Sequence, residues 1–144
     1  MKLFNIEASR NLTLPDMYIN IGHFLDHFMM LIFAKAAFDA GRHFGLSYDE
    51  IIIYGTLGLF LFGAAAPLAG WLADKYSRSL IIIIYPFGVS LGAFLCFLSS
   101  SPIMLGFSIG VIGFFAAIFH PVGIAMLIRD SKKVGFRLGV NGVW

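Results

Sequence analysis

Residues 51–73 and 80–98 hold no Asp, Glu, Lys or Arg, and a short segment carrying Asp74, Lys75 and Arg78 lies between them. Each run is long enough to cross hydrocarbon, which takes about 20 residues at about 1.5 Å each. Inside a bilayer the backbone has no water to bond to, so each run must be helical. The charged segment cannot lie in hydrocarbon and marks a membrane surface. The whole chain of 144 residues is 59% hydrophobic and 12% charged. A soluble domain of that size could not hide so much apolar surface, because roughly half of its residues must meet water.

The same test places further spans at residues 17–38 and 103–128. A fifth apolar segment begins near Gly135 and stops at Trp144, too short to cross. Gly135, Gly139 and Gly142 give it the spacing of a closely packed helix at its start. The expected fold is an all-α membrane protein with four complete transmembrane helices and the start of a fifth. Residues 1–144 would then be the N-terminal piece of a longer chain.

Lys and Arg set the orientation. With the N-terminus inside, the inner segments hold Lys2, Arg10, Lys75, Arg78, Arg129, Lys132, Lys133 and Arg137, against Arg42 alone in the outer loops. That bias puts the N-terminus and the Asp74 loop on the cytoplasmic side, and the expected location is a bacterial or archaeal inner membrane. Lys35, near the outer end of the first span, can snorkel to the headgroups. Cleavage of the first span as a signal peptide is disfavoured, because His23, Asp26 and His27 interrupt its apolar stretch.

Those interruptions are candidates for function. At 100° per residue Asn20, His23 and His27 share one helix face, with Asp26 beside them. A carboxylate at that depth is costly unless it faces protein or a water-filled cavity, which marks Asp26 as a substrate ligand or proton carrier. Asn20 lies nearer the inner surface, where interfacial solvation accounts for it. In the fourth span, Pro121 removes a backbone donor and crowds the carbonyl of Ala117, so a kink is expected with His120 beside it. Asp26 and His120 each lie about 8 residues, roughly 12 Å, from the inner surface. They could face each other across one cavity, an arrangement suited to a proton-coupled step.

Other readings carry less. His23-Phe24-Leu25-Asp26-His27 has the outline of a zinc-protease motif with Asp in place of Glu. No third ligand is evident nearby, so neither a protease nor a metal site is expected. Cys96, the single cysteine, reads as a buried small hydrophobe. Gly106, Gly110 and Gly113 in the fourth span, and Gly55, Gly58, Gly63 and Ala64 to Ala66 in the second, read as close helix packing. The run from Ile81 to Ile84 faces lipid or neighbouring helices. No phosphate-cradling loop or nucleophile–base pair argues for an enzyme. No cofactor is expected, and a net charge of +2 gives no sign of nucleic-acid binding.

The loop itself, Gly70-Trp71-Leu72-Ala73-Asp74-Lys75-Tyr76-Ser77-Arg78, resembles the signature between helices 2 and 3 of the major facilitator superfamily. Gly70, Leu72, Ala73, Asp74 and Arg78 match, and Lys75 is a conservative change. Ser77 replaces the second glycine and Ser79 a basic residue. The His- and Asp-bearing first span and the stretch Ala116-Ala117-Ile118-Phe119-His120-Pro121 are similar to the fosmidomycin-resistance-like branch. The resemblance implies twelve helices in two six-helix bundles, of which this chain supplies part of the first. It also implies alternating access around a cavity lined by helices 1 and 4, and a gating role for Asp74 and Arg78 against the C-terminal bundle. Ile109 stands where many proton-driven drug antiporters of the superfamily carry an Arg, so proton coupling would rest on Asp26 or the histidines. The expected function is proton-coupled efflux of a small polar or drug-like molecule. The rivals are a dimeric four-helix small multidrug exporter and a non-transporting membrane scaffold.

Overall fold

The computed structural model of the chain describes residues 12–129 and 131–144. Lys2 and Arg10, counted above among the inner charges, lie outside the described residues. All regular structure among the described residues is helical, and four stretches are long and apolar enough to cross a membrane: Leu14–Phe44, Tyr48–Lys75, Arg78–Phe97 and Pro102–Ile128.

The first span is one helix, α1 (Leu14–Phe44). Its start is fixed by a capping box, in which the Thr13 backbone N–H donates to Asp16 at 2.8 Å. Its end is Gly45, whose φ of 70° is the left-handed conformation that glycine adopts without penalty. At 31 residues it outruns the bilayer. The last three turns carry the exposed pair Lys35–Asp39, with Nζ donating to Oδ1 at 2.6 Å, and then Arg42 and His43. The helix therefore continues past residue 38, where the apolar pattern ends, because polar residues can extend a helix beyond the hydrocarbon.

The second span is segmented. It runs through α2 (Tyr48–Ile52), a 3-10 turn (Ile53–Gly55), α3 (Thr56–Ala64) and α4 (Ala66–Lys75). The break at Ala65 precedes Pro67, which has no N–H to offer the carbonyl of Gly63. The Ala65 N–H turns to the carbonyls of Gly63 and Leu61. The third span is α5 (Arg78–Phe97), N-capped by Ser77. The fourth runs through α6 (Pro102–Ala116), a π turn (Phe119–Gly123) and α7 (Ile124–Ile128). Pro121 sits within the π turn, the single-turn bulge typical of places where the ordinary i→i−4 ladder is interrupted. α8 (Val134–Asn141) follows.

Glycines set the spacing of the bundle where α3 crosses α6. A methyl group on Gly113 would collide with the backbone of Gly58, and one on Gly58 would meet Ile109 Cγ2 at 2.6 Å. Ile109 is thus part of a tight helix contact with no room for a charge. Gly63 has open space around it and takes no part in the packing. The core lies at the end of the bundle that carries the Asp74 loop, where Ile19, Ala73, Tyr85, Phe119, Val122 and Leu127 pack together. Outside it, large apolar side chains such as Leu31 (78% exposed), Phe87 (73%) and Phe97 (83%) point away from the protein, as lipid-facing residues do. Within the isoleucine run Ile81 is buried, whereas Ile83 is exposed.

α8 runs parallel to α1. Arg137 pairs with Asp16 at 3.1 Å, and Asn141 Nδ2 donates to Asn20 Oδ1 at 2.9 Å. Four residues of advance on one helix match four on the other. This corrects two expectations. Gly135 and Gly139 do not pack closely, since nothing lies within 4 Å of where their side chains would be. Asn20 is not solvated at the interface but buried, and its partner is a side chain 121 positions away.

Candidate functional site

α1 meets the π turn of the fourth span at Gly22. A side chain there would come within 2.8 Å of the Phe119 ring, so the glycine is what allows the approach. The Tyr85 hydroxyl, from α5, donates to the Gly22 carbonyl at 3.2 Å. The Phe119 ring stacks on His23, with centroids 5.5 Å apart. These contacts aim one face of α1 at His120.

The result is a compact polar cluster between the first and fourth spans. Asp26 is 2% exposed, and His120 Nε2 lies 3.5 Å from its Oδ2. Neither carboxylate oxygen accepts a hydrogen bond from the described residues. A buried acid so poorly bonded, with the Tyr85 hydroxyl and His120 beside it but neither within hydrogen-bond geometry, is costly, and an arriving proton or cation, or a shift of its surroundings, relieves it. His23 and His27 complete the group. Their Nε2 atoms are 2.9 Å apart, and both rings sit 5.6 Å from that of His120. The Nδ1 of His23 is 2.7 Å from the Asn141 carbonyl, which can only accept, so that nitrogen carries the proton. With that ring neutral, its Nε2 is an acceptor facing His27.

The structure thus brings together Asp26, His120, His23 and His27, which the sequence singled out from two separate spans. It also places a third imidazole beside His23 and His27. Reading along one helix could not find it, because His120 is contributed by another span. Tyr85, Phe119 and Asn141 were not singled out, although they position the cluster. A tyrosine within an apolar run and an asparagine in the fifth segment were the available signals.

From Asp26 toward the Gly45 end of α1 lies a cavity of about 260 Å³, lined by Met29, Met30, Phe33 and Phe62 among others, with Asp26 as its one charged lining residue. Cys96 also lines it and is half-buried rather than fully enclosed.

The Asp74 loop stands apart from this cluster. α4 ends at Lys75 and α5 begins at Arg78, so Asp74 and Arg78 are joined across a turn rather than along one helix. Arg78 donates to Asp74 Oδ1 at 2.8 Å, and both remain accessible. Lys75 Nζ lies 4.7 Å from the centre of the Trp71 ring, a cation–π contact at the surface. Gly70 packs against Pro121, where a side chain would meet the proline Cβ at 3.6 Å. The loop's first residue and the π turn are therefore neighbours.

A family model described as Major Facilitator Superfamily matches residues 19–144. No curated protein and no solved structure matches the chain.

Proposed function

From the premise that the chain belongs to the Major Facilitator Superfamily of secondary transporters, we propose that it takes part in proton-coupled efflux of a small polar or drug-like molecule by alternating access. The observation that carries this reading is Asp26, a buried and unbonded carboxylate facing His120 across two membrane spans. In this reading Asp26 and His120 carry the proton, and His23 and His27 contact the substrate or relay the proton between the cluster and its open side. The apolar cavity beside Asp26 suits the body of a drug-like molecule, with the carboxylate addressing a polar or cationic group.

Gly70, Asp74, Lys75 and Arg78 form the gate on the cytoplasmic side of an inner membrane. The accessible charges of Asp74 and Arg78 are free to exchange their mutual contact for one with the C-terminal half of the transporter. Their ion pair is surface-exposed and worth at most about 1 kcal/mol, so such an exchange is cheap. Pro121 and its π turn, packed on Gly70, supply the link between gate and cluster.

The test uses everted membrane vesicles energised by a proton gradient and a panel of fluorescent drug-like molecules. Gradient-dependent accumulation is expected with the unaltered protein. Asp26→Asn and His120→Ala should each abolish it at undiminished membrane expression, and Asp74→Asn should slow it. Normal transport by both Asp26→Asn and His120→Ala would overturn the proposal.

A further inference from the structure

We propose that His23, His27 and His120, with Asp26, form a binding site for a divalent transition-metal ion of the zinc or cobalt kind. The ligand atoms of the three histidines all lie within 4.8 Å of one another. A tetrahedral ion with bonds of about 2.0–2.1 Å holds its ligands about 3.3 Å apart. The His23–His27 nitrogen pair at 2.9 Å and the His120–Asp26 pair at 3.5 Å bracket that spacing. Small side-chain rotations therefore suffice to close the three imidazoles around one ion, with Asp26 beside His120 as the nearest carboxylate.

Three further observations point to a cation of this class. The first is the second coordination layer. His23 donates Nδ1–H to the Asn141 carbonyl, which turns its Nε2 lone pair toward the cluster. A backbone carbonyl behind a ligating imidazole is the usual device for fixing the metal-binding tautomer. The second is charge. Asp26 is buried with no hydrogen bond to either oxygen, so the carboxylate beside the three imidazoles favours a cation in the cluster. An anionic ligand would be repelled by the same carboxylate. The third is donor type. Three imidazoles and one carboxylate suit zinc, cobalt or nickel, whereas magnesium and calcium prefer oxygen-rich sites. The exposed ring of His27 leaves the site an open approach.

The proposal rests on the reading of these four residues as the ligand-binding group. It requires nothing of the proton step, because binding is measured without transport. The purified full chain in lipid nanodiscs is titrated with Co²⁺ alone, followed by competition with Zn²⁺. One equivalent of Co²⁺ should give the intense visible absorption of a four-coordinate nitrogen and oxygen site, and Zn²⁺ should bleach it. His27→Gln removes a ligand from an exposed position where folding is not at stake, and should weaken binding by at least about 10-fold. His23→Ala and His120→Ala should abolish the four-coordinate bands. The fourth histidine serves as the control: His43→Ala, at the outer end of α1, should bind Co²⁺ as the parent does. Absence of saturable binding, or the same bands in His27→Gln and His23→Ala as in the parent, would overturn the site. Loss of proton-driven transport in Asp26→Asn alongside a negative Co²⁺ titration would leave the transport reading standing and remove the metal site alone.

Discussion

Asp16 serves two purposes from one carboxylate. Oδ2 accepts from Thr13 and starts α1, while Oδ1 accepts from Arg137 and docks α8. Arg137 also donates to the carbonyl of Leu127 at 3.0 Å, so it ties the end of α7 into the same joint. The two purposes can be separated by substitution. Asp16→Asn keeps the cap and loses the ion pair, which should cost about 2 kcal/mol, the worth of a hydrogen bond to a charged group. Asp16→Ala loses both and should cost about 1 kcal/mol more, the usual price of a lost cap. Unfolding of the detergent-solubilised protein, monitored by circular dichroism, measures the difference; equal losses in the two variants would remove the dual role. At this scale the sequence was legible where depth alone decides. Asp26 and His120 could be matched because counting residues from a surface is geometry. Asn20 was misread because its partner, Asn141, is fixed by helix docking, which no local pattern encodes.

The crossing of α3 and α6 depends on two missing side chains. A methyl group at Gly113 meets the Gly58 backbone, so the helices must part to admit it. Gly113→Ala should therefore lower stability by about 1–3 kcal/mol, as overpacking does. Gly63→Ala, where there is open space, should be neutral or raise stability by up to about 1 kcal/mol through helix propensity. Thermal melts of both variants check the contrast, and a Gly113→Ala melt matching the parent would contradict it. The four spans were legible as elements because an apolar run of bilayer length has one structural solution. Their internal breaks were less so. Pro121 announced the disturbance near His120, but its form, a π turn, depends on Phe119 fitting against Gly22. The extra turns of α1 were hidden because Asp39 and Arg42, beyond the apolar pattern, read as loop residues when burial is the only guide.

The direction of the bundle in the membrane is a property of the whole molecule. The Asp74 loop and the Asp16–Arg137 joint lie at one end, and Gly45 and the Ser99–Ser101 turn at the other. If basic residues set the direction, the first end is cytoplasmic. With Cys96 replaced by serine, Ser77→Cys should react with a membrane-impermeant maleimide in everted vesicles and not in intact cells. Ser100→Cys should show the opposite pattern. Labelling of Ser77→Cys from outside intact cells would reverse the assignment.

The rungs between α1 and α8 form a vernier. Asp16 meets Arg137, and Asn20 meets Asn141, whose carbonyl also holds His23. A slip of one turn, about 5.4 Å, would set the Arg137 guanidinium against the amide of Asn20 and the Asn141 amide against the ring of Phe24. Each rung would lose its partner in such a slip, so the register between the two helices resists sliding. The histidine cluster and the charged joint are therefore held in one register along α1, through His23 and Asn141 at one end and Asp16 and Arg137 at the other.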